Sequence, residues 1–370
     1  MPHVRKSQRF RRPLALGAGC ALALALAALL VIPRALKNAP PGLRLAWEHR
    51  TFGPIFGSPL VVGDKVYFGS SDGTFWCLDR RTGEVVWSEL FPLPTRATPI
   101  ECDGTIYVGA DDYRLHALSA EGGRPVWDAP GAGQTNGPIE GAPIVVGEHV
   151  YVGSDDGYLY AFDRATGLRS RDPLPLGSFC CVDLTASDCR LLLGTGDGAL
   201  HIIDLGRWES QKLFTEGAIH SPVVLAPGGA VLGSDDGRLY VADLRAADFI
   251  AEFATGGPVR SVPLLVGDTV YFGSNDGCAY AADLRAGRVL WKLATGGAVR
   301  SRFALRDNVL YFGSDDGLLR AVSVLGEPKL LATFAAGGPI ASGPVLVGNL
   351  LYFGSWDGKL RALRTNLSAR

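Results

Sequence analysis

The chain has 370 residues, with 36 Lys or Arg, 37 Asp or Glu and 48 glycines. Residues 1–44 carry eight of the basic side chains and no acidic one, so residues 45–370 hold 28 basic and 37 acidic residues, a net charge of −9. A nucleic-acid-binding surface needs a basic footprint, so this composition argues against nucleic acid as a partner.

A basic segment followed by a long apolar run forms the N-terminus. Residues 1–13 contain five Lys or Arg, and residues 14–32 contain no charged side chain. A helix of that length spans about 28 Å, close to the hydrocarbon thickness of a bilayer. Basic residues are fewer just after the run, so the positive-inside rule places residues 1–13 in the cytoplasm. We therefore predict a signal-anchor helix in the cytoplasmic membrane with the body on the periplasmic side. The alternative is a cleaved signal peptide that releases a periplasmic protein.

Residues 33–42 are predicted to form a short linker, stiffened by Pro40 and Pro41. From residue 43 to residue 370 the chain repeats one motif, whose fullest form is Gly-Ser-Asp-Asp-Gly at residues 313–317. Eight near-copies begin at Gly69, Gly109, Gly153, Gly194, Gly233, Gly273, Gly313 and Gly354. A step of about 40 residues fits the four-stranded blade of a β-propeller.

Each repeat predicts four strands. In the first complete repeat they are residues 58–62, 65–69, 74–78 and 84–87, separated by turn residues such as Gly63-Asp64. The last repeat ends after a third strand, and an extra strand at residues 45–48 precedes the first repeat. We expect this N-terminal strand to complete the last blade, since closure hides exposed sheet edges. The prediction is an all-β, eight-bladed propeller of thirty-two strands.

The repeat resembles that of the PQQ-type β-propellers. Phe68 to Trp87, Val152 to Gly167 and Phe272 to Trp291 carry the resemblance best. One branch of this family is the quinoprotein dehydrogenases, which bind pyrroloquinoline quinone (PQQ) and Ca²⁺. Another is the assembly lipoprotein BamB, a non-catalytic scaffold of the outer membrane, and others are extracytoplasmic sensor or adhesion domains. Since fold does not determine function, the resemblance leaves these alternatives open.

The aspartate before the last glycine of each motif could bind Ca²⁺ or cap its own turn. Eight equivalent aspartates around a ring lie too far apart to share one ion, and Asp side chains commonly accept backbone N–H groups in turns. We therefore predict turn caps. The resemblance implies Ca²⁺ ligands and a catalytic Asp in long insertions, for which this chain has no room.

Cys180 and Cys181 are adjacent and are predicted in the first strand of the fourth blade. Three interpretations remain: apolar packing, since free Cys is often buried; a disulfide between the two; or, by the family resemblance, a vicinal disulfide stacked on a quinone. The seven cysteines of the chain match no zinc-ligand spacing.

One position just before each first strand changes from blade to blade. It reads Phe56, Arg96, Glu140, Phe179, His220, Arg260, Arg300 and Ala341. We expect these side chains near the rim of the central funnel, and we select Arg96, Glu140, His220, Arg260, Arg300 and the nearby Arg302 as candidate binding residues. The alternative is that the arginines pair with neighbouring turn aspartates.

The longest step, 44 residues between the second and third motifs, adds a Gly-rich loop at residues 128–137. We expect it over the funnel as a lid or a partner contact, because binding residues often lie on loops; the alternative is a loop that is only flexible.

No grouping of nucleophile, base and orienting residue is recognisable in the sequence. The predicted function is therefore a non-enzymatic extracytoplasmic scaffold that binds a protein or a cell-envelope component and needs no cofactor or metal. The alternative is a PQQ-binding quinoprotein, or a degenerate PQQ-dependent dehydrogenase, with PQQ and calcium as cofactors.

Overall fold

The computed structural model describes residues 42–187 and 189–368. The predicted cytoplasmic segment, the signal-anchor helix and nearly all of the linker lie outside these residues. Within the described part of the chain, no helix is long and apolar enough to cross a membrane.

The described residues form strands throughout. The first half contains β1 (Leu43–Arg50), β2 (Leu60–Val62), β3 (Lys65–Gly69), β4 (Thr74–Asp79), β5 (Val85–Leu90), β6 (Ile100–Cys102), β7 (Thr105–Ala110), β8 (Arg114–Ser119), β9 (Ile144–Val146), β10 (His149–Gly153), β11 (Tyr158–Asp163), β12 (Leu174–Pro175), β13 (Thr185–Ser187), β14 (Arg190–Gly194), β15 (Ala199–Asp204) and β16 (Glu209–Phe214). The second half contains β17 (Val224–Ala226), β18 (Gly229–Gly233), β19 (Arg238–Asp243), β20 (Asp248–Ala254), β21 (Leu264–Val266), β22 (Thr269–Ser274), β23 (Cys278–Asp283), β24 (Arg288–Ala294), β25 (Ala304–Arg306), β26 (Val309–Gly313), β27 (Leu318–Ser323), β28 (Lys329–Ala335), β29 (Val345–Val347), β30 (Leu350–Gly354) and β31 (Lys359–Thr365).

These strands form eight antiparallel sheets, which confirms the predicted eight blades. Seven sheets have four strands, and the sheet of blade 2 has three, β6, β7 and β8. The expected thirty-two strands are thus thirty-one in the described residues. Proline and glycine interrupt the outer strand of blade 2: Pro130 lacks the backbone N–H that a strand ladder needs, and Gly131 and Gly133 have φ of 81° and 67°.

The ring closes as predicted from the chain ends. β1 pairs antiparallel with β31, with Leu43 opposite Thr365 and Arg50 opposite Lys359. The order of this sheet is β1-β31-β30-β29, so the first strand of the body is the outermost strand of blade 8.

The core lies between blades. Each hydrophobic cluster of the described residues joins two consecutive blades, and the cluster with Trp47, Ile55, Val66 and Tyr352 joins blade 8 to blade 1. The first glycine of each motif makes this approach possible. A Cβ on Gly313 would lie 2.3 Å from Cγ2 of Ile340, a side chain from the connection to the next blade.

The motif aspartates cap their turns, as predicted, and also fasten the preceding connection. In blade 6, one carboxylate oxygen of Asp276 accepts the N–H of Cys278 in its own turn. The other oxygen accepts the N–H of Gly256 in the connection from blade 5 and the hydroxyl of Tyr280. The same arrangement recurs in most blades, so the motif holds both its own turn and the entry to its blade.

Candidate functional site

The candidate site is the funnel face, where the motif turns and the connections between blades emerge. In each connection one side chain packs on a motif glycine, and the residue after it reaches the funnel. We call these eight the rim residues; in blade order they are Phe56, Arg96, Glu140, Cys181, His220, Arg260, Arg300 and Ala341.

In blade 4 the rim residue lies two positions after the predicted one. The predicted rim residue, Phe179, would require the residue before it to pack against the motif glycine. Cys180 packs there instead, since a Cβ on Gly153 would lie 2.3 Å from Cys180 Sγ. Cys181 is therefore the rim residue. Phe179 instead packs over Gly196 and lies with its ring centroid 5.7 Å from that of His220.

The basic side chains of blades 5 to 7 are paired with aspartates. Arg260 donates to both carboxylate oxygens of Asp235 at 2.8 and 2.7 Å, and His220 Nδ1 lies 3.0 Å from the same carboxylate. Burial alone would raise the pKa of Asp235, but the hydrogen bonds and charges of Arg260 and His220 outweigh it and hold the pKa below its ordinary value. Arg300 donates through Nε to Oδ1 of Asn275 at 3.0 Å, and its Nη1 lies 3.3 Å from Oδ2 of Asp315. The arginines therefore pair with neighbouring turn aspartates, the alternative raised from the sequence, and these contacts hold Arg260 and Arg300 in place.

Carboxylates predominate on blades 2 and 3. Arg96 lies 2.8 Å from Glu140 and 3.3 Å from Asp111, so one cation contacts two carboxylates. Asp155 has no ion-pair partner among the described residues, and its Oδ1 is buried without a hydrogen bond. Burial, reinforced by the charges of Glu140 and Asp111, raises the pKa of Asp155 to about 6. This group of acidic side chains was not predicted as a whole. Asp111 and Asp155 belong to the motif, whereas the candidate binding residues were chosen from the connections between blades.

Arg302 crosses the central channel. Its Nη2 donates to Oδ2 of Asp183 at 3.1 Å, although the two residues are 119 positions apart. The two residues occupy equivalent positions in blades 4 and 7. Asp183 follows Cys180 by three residues and Arg302 follows Val299 by three, and Cys180 and Val299 are the side chains that pack on motif glycines. Small residues elsewhere at this level leave room for the long arginine; a Cβ on Gly343 would lie 2.4 Å from Arg302 Cβ.

This ion pair divides the channel into two cavities. Above it, a cavity of about 160 Å³ is lined by Phe56, Arg96, Glu140 and Arg300 together with the pair itself. Below it, a cavity of about 680 Å³ is lined mainly by apolar residues of the innermost strands, including β2, β9 and β17. The funnel face is therefore polar and shallow, and the opposite opening is apolar.

Cys180 and Cys181 lie in the connection before β13, not in the predicted first strand of blade 4. Both are free thiols in the structure. Burial raises the pKa of each to about 12, assisted at Cys181 by the charges of Asp155 and Glu140. Neither is therefore a thiolate near neutral pH. Cys180 fills the packing position that Ile or Val occupies in most other blades, which agrees with the packing interpretation; a disulfide between the two stays a prediction.

The Gly-rich loop does not lie over the funnel. Residues 128–132 border a cavity on the outer side of blades 1 and 2, formed with the end of β5 and with β8. Neither channel cavity includes the loop among its lining residues. The loop occupies the place of the missing outer strand of blade 2.

The described residues contain no group of three or more His, Cys, Asp or Glu arranged to hold a metal ion. Histidines are likewise dispersed. His201 is buried in blade 4, where burial lowers its pKa to about 4, and His220 lies on the rim.

A family model described as the outer membrane protein assembly factor BamB matches residues 38–101, 92–205 and 190–367. The chain is 26% identical over 236 residues to the outer membrane protein assembly factor BamB of Burkholderia pseudomallei, a match that covers 59% of this chain and 60% of that protein. It is 33% identical over 150 residues to a quinohemoprotein alcohol dehydrogenase of Comamonas testosteroni, covering 34% of this chain and 21% of the enzyme. The matches span less than two thirds of either relative's length.

A crystal structure of BamB from Moraxella catarrhalis superposes with a TM-score of 0.72 at 16% identity, covering 87% of this chain and 99% of that chain. At this identity the likeness extends to the eight-bladed fold alone.

Proposed function

Because the chain belongs to the propeller family whose model is described as outer membrane protein assembly factor BamB, we propose that it is a non-enzymatic extracytoplasmic scaffold. It binds a protein or another cell-envelope component through the rim residues of the funnel face. The predicted helix at residues 14–32 anchors it to the cytoplasmic membrane, with the propeller on the periplasmic side.

The observation that supports this proposal most is the contrast between the rim residues and the repeat. Motif turns, strands and interblade contacts recur around the ring, whereas the rim residues differ in size and charge from blade to blade. Two of the donors of Arg260 are occupied by Asp235. A guanidinium has five, so three remain for a partner, on a side chain that is already held in position. Preorganisation of this kind lowers the entropy lost on binding.

The first prediction tests the rim. Arg260→Gln with Arg300→Gln removes both fixed guanidiniums while avoiding new repulsion with Asp235 and Asp315. Arg245→Gln with Arg285→Gln is the matched control, since both residues are exposed and lie in turns on the opposite face. We expect a partner captured from an envelope extract by the full chain to be retained by the control and reduced at least about tenfold by the rim variant, the effect of about 1.4 kcal/mol of binding energy.

Melting temperatures of both variants check that the fold is intact. Equal recovery by the rim variant, the control and the unaltered chain would remove the rim from the proposal. Loss of recovery with the control variant alone would move the binding surface to the opposite face.

The alternative function, a PQQ-binding quinoprotein, is supported by the match to a quinohemoprotein alcohol dehydrogenase. The residues present fit that cofactor poorly. Sites for ligands of such size occupy about 300–1,000 Å³, whereas the polar funnel cavity holds about 160 Å³. The larger, apolar cavity offers a single charged pair, Arg302 and Asp183, to a tricarboxylate. Dye reduction by the full chain after addition of PQQ and Ca²⁺ would overturn the scaffold proposal.

A further inference from the structure

Blade 2 is interrupted at its outer edge. Its outer segment pairs with β8 at two isolated points, Leu118 with Pro125 and Arg114 with Gln134. In blade 6, the equivalent strand β24 pairs with β23 along its whole length apart from one bulge. The step between the second and third motifs is four residues longer than the usual 40. These additional residues lie outside the sheet, between the pairing at Pro125 and the pairing at Gln134.

This interruption leaves a backbone acceptor and a backbone donor of β8 without a partner. At the outer edge of β8, Leu115 N–H donates to Gly133 and Ala117 C=O accepts from Val126. Between them, Leu115 C=O and Ala117 N–H have no hydrogen bond among the described residues. A Cβ on Gly133 would lie 2.1 Å from the Leu115 oxygen, so this carbonyl faces Gly133. Unpaired buried backbone groups are rare in folded proteins, and the Ala117 N–H is the group left for a ligand acceptor.

The same segment borders a cavity of about 790 Å³, larger than either channel cavity. Both Leu115 and Ala117 line it, as do the end of β5, Pro92 and the loop at residues 128–132. Two of its apolar side chains are open to solvent: Leu90 is 72% exposed and Leu93 46%. We call this cavity the β8 groove.

Two carboxylates flank the apolar surface. Glu89 and Asp128 both line the β8 groove, and neither has an ion pair or a side-chain hydrogen bond in the described part of the chain. Asp112 and His116 lie in the groove as well, but they contact each other at 3.0 Å. Arg114 is the remaining charged side chain there, and its Nε donates to Gln134. The unpaired charge at the mouth is therefore mainly negative.

We propose that the β8 groove binds a short extended segment of a partner protein that combines apolar and basic side chains. Its apolar side chains cover Leu90 and Leu93, its basic side chains face Glu89 and Asp128, and one of its carbonyl groups accepts a hydrogen bond from Ala117 N–H. This surface lies on the outer side of blades 1 and 2 and does not depend on the rim residues.

A fluorescein-labelled nonapeptide of alternating leucine and lysine probes the β8 groove by fluorescence polarisation with the full chain. We expect saturable binding. An alternating leucine and glutamate peptide should bind at least about tenfold more weakly, since it places like charges beside Glu89 and Asp128. Leu90→Lys should also weaken the lysine peptide at least about tenfold, because it removes an apolar contact and adds repulsion.

Ile250→Lys is the matched control, since Ile250 is an exposed apolar residue, 64% accessible, on the outer strand of blade 5. This variant and the rim variant of the proposed function should bind like the unaltered chain, so failure of one proposal is distinguishable from failure of the other. A variant that lacks Ala129–Ala132 restores the 40-residue step and should lose binding as the outer strand closes over β8.

The proposal is overturned if no saturable binding occurs, if the two peptides bind equally, or if Leu90→Lys binds as tightly as Ile250→Lys. The test does not depend on folding of the deletion variant, because Leu90 is exposed and its substitution leaves the core unchanged.

Discussion

Asp155 and Asp235 occupy the same motif position in blades 3 and 5, yet their surroundings shift their pKa values in opposite directions. Burial and the nearby Glu140 and Asp111 carboxylates raise the pKa of Asp155 from 3.8 to about 6. At Asp235, burial acts in the same sense but the contacts with Arg260 and His220 outweigh it, so the pKa lies below 3.8. A residue that the repeat supplies for a structural turn therefore acquires its charge behaviour from the variable rim.

This difference predicts opposite pH dependence for two amide variants. The charged form of Asp155 is disfavoured in the folded state, so its ionisation opposes folding from about pH 4 and does so fully above about pH 6. Asp155→Asn should therefore raise the free energy of unfolding, with no gain near pH 3.5 and a gain of about 1 kcal/mol at pH 8, allowing for partial solvent exposure. Urea unfolding at pH values between 3.5 and 8 measures it.

Asp235→Asn is the internal comparison. Its lowered pKa means that the ionised carboxylate stabilises the fold above about pH 4 and that this contribution disappears as the pH falls further. The variant should lose about 1 kcal/mol at pH 7, and its difference from the unaltered chain should shrink as the pH falls below about 4. A loss of stability at pH 8 in Asp155→Asn would contradict the assignment of an unfavourable buried charge.

Ion pairs within the repeat were predictable from the sequence, whereas those across the channel were not. The pairing of Arg260 with Asp235 was among the alternatives, because both belong to recognisable repeat positions. The pair of Arg302 and Asp183 could not be predicted, since it joins non-neighbouring blades and depends on small side chains at the same level of the channel. Cys181 was missed because the irregular connection into blade 4 hides the correct alignment of the repeat.

At the scale of the blade, the sequence predicted most strands closely. The predicted second strand, residues 65–69, is β3 as observed, because alternating apolar residues and turn glycines define it on both sides. The prediction of an outer strand in blade 2 was wrong, since strand propensity around Trp127 does not show that Pro130 removes a ladder donor and that Gly131 and Gly133 turn the chain out of the extended conformation. The 44-residue step was the available signal, but sequence alone did not show on which side of the blade the extra residues lie.

Contacts between blades depend on the motif glycine, and this leads to a prediction for Gly313. Alanine there places Cβ 2.3 Å from Cγ2 and 2.6 Å from Cβ of Ile340. Overpacking of this kind costs about 1–3 kcal/mol. Gly122→Ala is the matched control, because nothing lies within 4 Å of its Cβ position and its φ is not in the left-handed region; its effect should stay within about 0.5 kcal/mol.

A double-mutant cycle with Ile340→Ala identifies the contact. Alone, that variant should cost about 2–5 kcal/mol for the cavity it leaves, whereas in combination with Gly313→Ala the total should fall below the sum of the two. Strict additivity, measured by denaturant unfolding, would show that Gly313 is not limited by Ile340.

At the scale of the whole molecule, stability depends on joining blade 8 to blade 1. β1 is the outer strand of blade 8, while its Trp47 is 9% exposed and donates through Nε1 to the carbonyl of Arg80 in blade 1. The N-terminal strand thus both completes a sheet and seals the interface that closes the ring. Because the first and last strands are adjacent, closure is a property of the complete set of eight repeats rather than of any one of them.

Two altered chains, one without β1 and one with β1 moved to the C-terminus, test whether strand pairing or the connection into blade 1 closes the ring. A chain that starts at Phe52 should expose the edge of β31 and lower the melting temperature by roughly 10 °C or more. A permuted chain that starts at Phe52 and carries residues 43–50 after Ser368, through a short flexible linker, should recover most of that loss. Leu43 lies opposite Thr365, so the relocated strand can return to its place as a hairpin. Thermal unfolding of the three chains distinguishes the outcomes. Equal melting temperatures for the truncated and complete chains would mean that six four-stranded blades and two three-stranded blades suffice. Failure of the permuted chain to recover would mean that the connection from β1 into blade 1, not the strand pairing, closes the ring.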